Sequence, residues 1–210
     1  MSEIARGAEA VISRIDDTLI KERIVKKYRL SQLDEKLRSR RTKLEAALLR
    51  EARRIGINVP RVFDVQKYSI KMEEIQGKLV KDVLNEKNYE EIMENIGTSI
   101  AKLHEYNIVH GDLTTSNMIL KQLDQNNPSS NNCDIYFIDF GLGFNSQRIE
   151  DKAVDLYLFY HVIEATHWNL LEKMWKIILN TYKAHFKDAV KVIKTLDQIE
   201  KRGRYKDRGE

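Results

Sequence analysis

The sequence has few of the residues that stiffen, cross-link or anchor a chain. Of its 210 residues only two are proline and one, Cys133, is cysteine. So few prolines argue against long proline-rich linkers, and a single thiol excludes a disulfide within the chain. Residues 1–7 lack the apolar core of a signal peptide, and no apolar run approaches membrane-spanning length. We therefore expect a cytoplasmic protein without a membrane partner.

Charge is plentiful but unevenly distributed. Charged residues make up 32% and hydrophobic residues 42% of the chain, as in a globular protein with a real core. The net charge is only +4, yet residues 21–54 hold 13 Lys or Arg against five Asp or Glu, and residues 201–210 hold five against two. Such clusters attract phosphate backbones, so an RNA partner is plausible. A solvated helix face and a frayed tail are the alternative interpretation.

The first part of the chain has the pattern of a small sheet packed on one helix. Apolar residues in extended patterns predict strands at 10–12, 18–21, 62–65 and 68–72. Between the second and third of these, apolar residues recur at steps of three, four or seven from Leu33 to Ile55. This periodicity predicts a long helix that Gly56 ends. We therefore predict an N-terminal lobe over residues 1–73.

The remainder of the chain is mainly helical in pattern. Ile92, Ile96, Ile100 and Leu103 form an apolar stripe that predicts a helix running to about Tyr106, with Asn107 as a left-handed stop. Two short strands around 118–120 and 134–138 flank a polar stretch that must be a surface loop. Everything from Asp151 onward looks helical. We predict a reduced, mainly helical C-terminal lobe over residues 74–210.

Two carboxylates and a carboxamide form the chemical centre of the sequence. Asp112 and Asn117 lie five residues apart in the run His110-Gly111-Asp112-Leu113-Thr114-Thr115-Ser116-Asn117, and Asp139-Phe140-Gly141 follows a strand. Asp112 can accept a hydrogen bond from an attacking hydroxyl, which makes it the catalytic candidate. The oxygens of Asn117 and Asp139 suit Mg²⁺. Their joint order predicts phosphoryl transfer and an α+β, bilobal, protein-kinase-like fold.

A nucleotide kinase also needs a cation for the phosphates and a pocket for the base. Lys21 ends a strand, and Glu45 lies at the edge of the apolar helix stripe, so we predict that they pair. An exposed lysine and an unrelated surface glutamate are the alternative. The turn at Gly7 is a weak signal for a phosphate loop, since a typical kinase has three glycines there. The further residues predicted to bind ATP are Ala8, Glu9, Ile12, Met72, Glu73 and Ile75.

The chain resembles the small atypical kinase subunit of the KEOPS (EKC) complex, the family that includes the human p53-related protein kinase. The resemblance runs in family order from residue 7 to about 160. The matching stretches are Gly7-Ala8-Glu9-Ala10, Ile20-Lys21-Glu22-Arg23, Lys27-Tyr28-Arg29, Arg41-Thr42, Glu45-Ala46, Met72-Glu73-Glu74-Ile75-Gln76-Gly77, the run from His110 to Asn117, Asp139-Phe140-Gly141-Leu142-Gly143 and Glu150-Asp151-Lys152-Ala153-Val154-Asp155-Leu156-Tyr157. The basic end at 201–204 is also similar to the tail of this family.

This resemblance implies an ATP-dependent atypical serine/threonine kinase and ATPase that supports threonylcarbamoyladenosine modification of tRNA. It implies a threonylcarbamoyl transferase subunit on the helical lobe and a small accessory subunit on the β-rich lobe. It further implies that tRNA contacts the basic surface and the C-terminal tail. By the same resemblance, Asp155 is the buried helix aspartate that supports the catalytic loop.

Departures from an ordinary protein kinase narrow the expected activity. Gly111 stands where an arginine would grip a phosphorylated activation loop, and Thr114 stands in place of a lysine. Only 13 residues separate Gly141 from Asp155, without an Ala-Pro-Glu motif, so a platform for peptide substrates is missing. We expect weak or self-directed phosphorylation, or ATP hydrolysis. His110 is expected to be a packed structural residue.

Two other functions stay open at this point. A small-molecule kinase of the aminoglycoside-phosphotransferase type also uses His-Gly-Asp, but usually has a much larger helical lobe. A nucleotide-gated scaffold subunit would need no catalysis. A pure scaffold would not require all five residues expected of a kinase site. This chain has all of them, namely Lys21, Glu45, Asp112, Asn117 and Asp139.

Overall fold

The computed structural model describes residues 2–122 and 133–206. Most of the predicted surface loop, at 123–132, and the end of the basic tail, at 207–210, lie outside the described residues. The strands are β1 Ser2–Arg6, β2 Ala10–Ile15, β3 Thr18–Arg23, β4 Val62–Val65, β5 Ser69–Glu73, β6 Lys78–Leu79, β7 Ile108–Val109, β8 Met118–Gln122, β9 Cys133–Phe137 and β10 Phe144–Asn145. The helices are α1 Ser31–Arg54, α2 Val80–Val83, α3 Tyr89–Glu105, α4 Ile149–Thr166, α5 Leu171–His185 and α6 Ala189–Lys206.

The N-terminal lobe is a five-stranded antiparallel sheet in the order β1-β2-β3-β5-β4. Strands β2 and β3 meet at the predicted turn, where Asp16 takes a φ of 51°. Strand β1 was not predicted, because every residue of this edge strand is exposed and none supplies a buried alternation. The sheet ends at Glu73, the residue at which we place the boundary between the lobes.

Helix α1 covers one face of this sheet and supplies much of its core. Leu48 and Leu49 of the helix and Ile70 of β5 are each 1% exposed and belong to one buried apolar cluster. The helix ends as predicted, since Gly56 has a φ of +78° and its N–H donates to the Arg53 carbonyl at 2.9 Å. A left-handed residue stops the helix and turns the chain toward β4.

The helical lobe begins with a second, three-stranded sheet in the order β6-β8-β9. Helix α3 packs against α5, and α4 packs against α6. The predicted stop after α3 is present, because Asn107 has a φ of 62°. The predicted α+β, bilobal fold is thus confirmed. Part of the predicted basic tail is helical, since α6 continues through Lys206. Among the helices that the structure describes, none is long and apolar enough to cross a membrane.

A two-stranded pair of β7 and β10 brings the two motif loops together. Phe144 pairs with Val109, and Asn145 pairs with Ile108. The loop that follows β7 carries Asp112, and the loop that precedes β10 carries Asp139. Strands β6, β7 and β10 have two residues each and α2 has four, which is too short for periodicity to reveal them.

Candidate active site

The strand periodicity of β3 directs Lys21 toward α1. Its Nζ lies 2.6 Å from Oε1 of Glu45, and both side chains are buried. Glu45 reaches the strand because it continues the buried side of α1, next to Ala46 and Leu49. The predicted pairing of Lys21 with Glu45 is therefore present. The role of Lys21 toward phosphates stays a prediction.

A second cation, Arg23, shares Glu45 with Lys21. Its Nη2 lies 2.5 Å from the Oε2 atom of Glu45, and the arginine side chain is only 5% exposed. Residues two apart on a strand point to the same face, so both cations of β3 face the helix. The sequence interpretation missed this residue because it ended the predicted strand at Lys21, whereas β3 continues to Arg23.

Asp139 is the second carboxylate that Lys21 contacts. Nζ of the lysine lies 2.6 Å from Oδ1 of Asp139, which is 46% exposed at the edge of the cleft. The aspartate has a φ of 61°, and the Gly141 N–H donates to the same Oδ1 at 3.1 Å. Burial alone would raise the pKa of this carboxyl, but the charge and hydrogen bond of Lys21 outweigh burial and hold the pKa below its ordinary value. Asp139 is therefore a carboxylate at neutral pH.

Asn117 is oriented by the loop that carries Asp112. Its Nδ2 donates to the Asp112 carbonyl at 3.0 Å and to Oδ2 of Asp112 at 2.8 Å. The backbone carbonyl of Asn117 in turn accepts a hydrogen bond from the Ile138 N–H at 2.9 Å. Ile138 is the residue before Asp139 in the chain. With Nδ2 committed to Asp112, the acceptor atom Oδ1 is the one left for a cation.

The described residues contain no group of three or more His, Cys, Asp or Glu side chains that could hold a metal ion alone. The side-chain oxygens of Asn117 and Asp139 are hard donors. The 2.9 Å bond from the Ile138 N–H to the Asn117 backbone carbonyl brings the two residues together, because Asp139 follows Ile138 in the chain. Mg²⁺ is typically held by one or two carboxylates together with substrate phosphates and water. This donor set therefore fits a magnesium ion that arrives with a nucleotide.

Asp155 of α4 holds the start of the catalytic loop. Its Oδ2 accepts from the His110 N–H and its Oδ1 from the Gly111 N–H, each at 2.9 Å. Oδ2 also lies 3.2 Å from Nε2 of His104, whose Nδ1 lies 2.7 Å from the Tyr182 hydroxyl. All of these side chains are buried. A chain of hydrogen bonds thus runs from α5 through α3 and α4 to the loop of Asp112.

His110 has the structural role that we expected. The side chain is fully buried, its Nδ1 accepts from the Asp112 N–H at 3.3 Å, and Nε2 lies 3.2 Å from the Ile138 carbonyl. Burial lowers the pKa of His110 below its ordinary value, so the ring is neutral and Nε2 carries the proton. The ring also packs against Phe140, with 4.4 Å between centroids. His110 therefore joins the two motif loops.

The backbone of Gly111 explains why no arginine stands there. The residue has a φ of +77°, and a Cβ atom at this position would lie 2.4 Å from the Leu142 carbonyl oxygen. A side chain cannot enter without displacing the Asp139 loop. Close contact between the two loops therefore excludes an arginine at position 111.

The turn predicted to cover phosphates closes on itself. The Gly7 N–H donates to the Ala10 carbonyl at 2.9 Å, and the Ala8 carbonyl accepts a bond from the Lys26 ammonium. Gly7 does not have a positive φ, and the nearest atom to an added Cβ would be the Ala10 oxygen at 3.7 Å. The conformation of the turn thus does not require a glycine.

Glu9 in the same turn is held by arginines. Its Oε2 lies 2.9 Å from Nη1 of Arg41, and its Oε1 lies 3.6 Å from Nη2 of Arg29. These ion pairs fasten the turn to α1 and to the loop before it. The basic side chains, rather than the carboxylate, are the groups here that could attract phosphate.

The remaining residues predicted to bind ATP lie on β2, on β5 and just after β5. Ile12 is the cross-strand partner of Lys21, which places both side chains on one face. Met72 of β5 and Ile75, two residues after the end of β5, are both buried. Oε2 of Glu73 accepts from the Arg61 N–H at 3.1 Å, so this side chain turns back onto its own lobe. Contact of these residues with a nucleotide stays a prediction.

Comparison with known proteins places this geometry in a family. The model of the RIO domain matches residues 12–143. A probable serine/threonine-protein kinase BUD32 homolog of Archaeoglobus fulgidus is 37% identical over 202 residues, which cover 96% of this chain and 95% of the relative. The KEOPS complex subunit Bud32 of Pyrococcus abyssi is 39% identical over 225 residues, with 99% and 98% covered.

Longer relatives contain the same unit as a part. A probable bifunctional tRNA threonylcarbamoyladenosine biosynthesis protein of Methanococcus vannielii is 40% identical over 208 residues, covering 96% of this chain. The chain spans only 36% of the length of that relative.

Solved structures share the fold at low sequence identity. The Rio2 kinase of Chaetomium thermophilum superposes with a TM-score of 0.68 at 15% identity, covering 98% of this chain and 73% of the kinase. Its ADP/Mg²⁺-phosphoaspartate complex gives a TM-score of 0.67 at 14% identity, with 97% and 72% covered.

The fold and the site together define a protein-kinase-like phosphotransferase of two lobes. The chain belongs to the RIO domain family and, with its full-length relatives, to the Bud32 serine/threonine kinases. The fold class and family expected from the sequence are both confirmed.

Proposed function

We propose that this protein binds Mg²⁺ and ATP between its lobes and transfers or hydrolyses the terminal phosphoryl group as a subunit of a KEOPS complex. In this cytoplasmic assembly it supports threonylcarbamoyladenosine modification of tRNA. The observation that carries the proposal is the convergence of Lys21, Asp112, Asn117 and Asp139 from three separate segments, linked by bonds of 2.6 to 3.0 Å that run in part through Ile138. Structural packing alone does not require this set of charges at one cleft.

Each residue of the site has a defined task in this proposal. With a nucleotide bound, Lys21 would exchange its bond to Asp139 for a bond to the phosphates, and Asp139 and Asn117 would hold the metal ion. Bound magnesium would neutralise phosphate charge during transfer. Asp112 accepts a hydrogen bond from the attacking hydroxyl or water, in a position fixed by Asn117.

Exposed apolar side chains next to the catalytic loop support a protein partner. Leu142 is 55%, Phe144 39%, Val154 40% and Leu158 41% exposed, and the groove that they line also includes Gly111. A contiguous apolar strip of this kind is typical of an interaction surface. It fits the proposed transferase subunit on the helical lobe.

The β-rich lobe has its own exposed apolar group before and within the first turn of α1. Its members are Val25, Tyr28, Leu30 and Leu33, all at least half exposed. The groove beside Leu30 and Leu33 has a volume of about 770 Å³. This surface fits the proposed small accessory subunit.

The basic cluster at residues 21–54 divides into two sets. Several of its cations, among them Lys21, Arg23 and Arg38, turn inward to ion pairs. The solvent-exposed remainder lies mainly on α1 and consists of Lys27, Lys36, Arg40, Lys43, Arg50, Arg53 and Arg54. These residues, with the exposed Lys201 and Arg202 near the end of α6, are the proposed contacts for tRNA.

Relatives support the assembly without testing it for this chain. The Pyrococcus abyssi relative is named a KEOPS complex subunit. In the Methanococcus vannielii relative, the matching unit shares one polypeptide with a longer part of a bifunctional tRNA threonylcarbamoyladenosine biosynthesis protein. The Archaeoglobus fulgidus relative is named a probable serine/threonine-protein kinase, which favours this proposal over an aminoglycoside-type kinase.

ATP turnover and tRNA modification, measured in one reconstituted system, test the proposal. The wild type, Asp112→Ala and Asp139→Ala are each assayed for phosphate release, alone and with a transferase partner and tRNA. We expect both variants to lose phosphate release and modification. If both variants release phosphate as fast as the wild type, ATP is not turned over at this site. If both variants support full tRNA modification, the protein acts as a scaffold subunit.

Salt dependence tests the tRNA surface separately. Glutamine replaces the five basic residues of 201–210, and tRNA affinity is measured over a range of salt concentrations. We expect weaker binding and a smaller slope of log affinity against log salt, because fewer counterions are released. An unchanged slope contradicts a role for this end of the chain in tRNA binding.

A further inference from the structure

Lys152, in the first turn of α4, is a lysine that the fold keeps out of water. The residue is only 4% exposed, and its ammonium donates to Oδ1 of Asn107 at 2.9 Å. The ammonium also lies 5.1 Å from the centroid of the Phe186 ring. Burial lowers the pKa of Lys152 below its ordinary value, and the charges of Asp188 and Glu105 oppose this shift. Burying a cation against a neutral amide is costly, and a methionine of similar length would fill the same space. Packing alone therefore does not require the bond to Asn107.

Asn107 is the joint between α3 and β7. Its φ of 62° ends the helix, a task that glycine performs at least as readily as asparagine. The side-chain amide is therefore not needed for the turn, and its oxygen accepts the bond from Lys152 instead. The backbone carbonyl of Asn107 accepts a hydrogen bond from the N–H of Ser146, the residue after β10, at 2.8 Å. Asn107 thus joins β7 and β10 at the end of the strand pair that lies away from the two motif loops.

Helix α4 holds this end of the strand pair through two adjacent residues. Lys152 binds Asn107, the residue before β7. Asp151 binds the residue after β10, since its Oδ2 accepts from the Ser146 hydroxyl at 2.5 Å. One turn later, Asp155 holds the other end of β7, at the start of the catalytic loop. Strand β7 is therefore anchored on α4 both before and after its own two residues.

We propose that Lys152 is a positioning residue for the catalytic loop, which fixes the place of Asp112 through its bond to Asn107. The inference rests on the proposed function, because it takes Asp112 as the residue that orients the attacking group. Only four residues separate Asn107 from Asp112, so a shift of β7 moves Asp112 relative to Asp139. Without the bond, β7 loses one of its two anchors on α4, while the N-terminal lobe keeps its geometry.

Two substitutions remove this bond from opposite sides. Lys152→Met keeps the length of the side chain and its contact with the Phe186 ring but removes the donor. Asn107→Gly removes the acceptor, and glycine adopts a φ of 62° without strain. We expect each variant to lower the single-turnover rate of phosphate release from ATP about tenfold, less than the roughly hundredfold loss that a displacement of about 1 Å can cause. The Kd for MgADP should stay within about twofold of the wild type, because the bond affects the reacting geometry and not nucleotide binding.

A conservative variant and a double variant show whether the two residues act through this one bond. Asn107→Asp keeps an oxygen that can accept from the ammonium, so its rate should stay within about threefold of the wild type. The double variant Lys152→Met/Asn107→Gly should be no slower than the slower single variant. Additive losses in the double variant overturn the inference, as does an Asn107→Asp protein that is as slow as Asn107→Gly.

Phe186→Leu is the matched control for packing around Lys152. It removes the ring that lies 5.1 Å from the ammonium and leaves the bond to Asn107 in place. A merely structural role for Lys152 predicts that Phe186→Leu and Lys152→Met both lose stability and keep the wild-type rate. Our inference predicts a slower rate in Lys152→Met alone. If Phe186→Leu is equally slow, packing rather than the bond controls the loop, and the inference is wrong.

The remaining outcomes separate this inference from the proposed function. A wild-type rate in Asn107→Gly overturns the inference, and this variant decides the question if Lys152→Met does not fold. A wild-type protein that binds MgADP but releases no phosphate from ATP contradicts the proposed function itself. Phosphate release that occurs in the wild type and is unchanged in the variants contradicts the inference alone.

Discussion

Gly111→Ala is the substitution for which the structure predicts the most specific result. Gly111 has a φ of +77°, and its N–H donates to Oδ1 of Asp155 at 2.9 Å. The added methyl carbon would lie 2.4 Å from the Leu142 carbonyl oxygen, whereas ordinary contacts begin at 3.4 Å. The methyl group therefore has to push the two motif loops apart by about 1 Å, the difference between these two distances.

The cost has two parts. A left-handed conformation costs a non-glycine residue roughly 1–2 kcal/mol. Forcing an extra carbon into a packed contact costs about 1–3 kcal/mol. We expect Gly111→Ala to lower the free energy of unfolding by about 3 kcal/mol, or roughly 6–12 °C in Tm for a chain of this size. A displacement near 1 Å next to Asp112 should also lower kcat by about a hundredfold.

Gly7→Ala is the matched control, because Gly7 has no positive φ and its added Cβ would meet only the Ala10 oxygen at 3.7 Å. Urea denaturation of both variants, together with ATP turnover of Gly111→Ala and the wild type, gives the comparison. We expect Gly7→Ala to stay within about 0.5 kcal/mol of the wild type in the free energy of unfolding. If Gly111→Ala is as stable as Gly7→Ala and as active as the wild type, the packing of the two loops does not explain why position 111 is a glycine.

Two further predictions concern the buried network behind the loop. Tyr182→Phe removes the 2.7 Å bond to His104 and leaves a buried ring nitrogen unpaired, so urea denaturation should show a loss of about 1–3 kcal/mol; a loss near zero contradicts the network. His110 has its pKa lowered by burial from an ordinary 6.5, so its contribution to stability is complete above that pH and is lost as pH falls toward the lowered pKa. Between about pH 7 and about pH 5 the free energy of unfolding should fall more steeply in the wild type than in His110→Gln, by up to about 1.4 kcal/mol per pH unit. Equal slopes would show that His110 is not held neutral.

Features set by local chemistry were the ones that the sequence predicted well. Gly56 and Asn107 end their helices in the left-handed conformation, which follows from the residue types themselves. The pairing of Lys21 with Glu45 followed from strand and helix periodicity, because each pattern identifies the face that turns inward. Arg23 obeys the same periodicity and could have been found by extending it two residues along β3.

Features set by tertiary packing could not be predicted in this way. The bond between His104 and Tyr182 joins residues 78 apart in sequence, and that between Lys21 and Asp139 joins residues 118 apart. Neither residue of the first pair belongs to a local motif. A side chain at position 111 would collide with the Leu142 carbonyl of the opposite loop. The sequence showed that Gly111 replaces the arginine of ordinary kinases, but it could not show this reason.

The central claim, that Asp112 acts in phosphoryl transfer at a site otherwise complete for nucleotide, is tested most directly by Asp112→Asn. The amide oxygen can still accept the 2.8 Å bond from Nδ2 of Asn117, so the loop keeps its shape while the negative charge is lost. Single-turnover release of the ATP γ-phosphate and the Kd for MgADP are measured on the same preparation. We predict a rate at least a hundredfold lower with a Kd within about twofold of the wild type. An unchanged rate would contradict the catalytic role of Asp112.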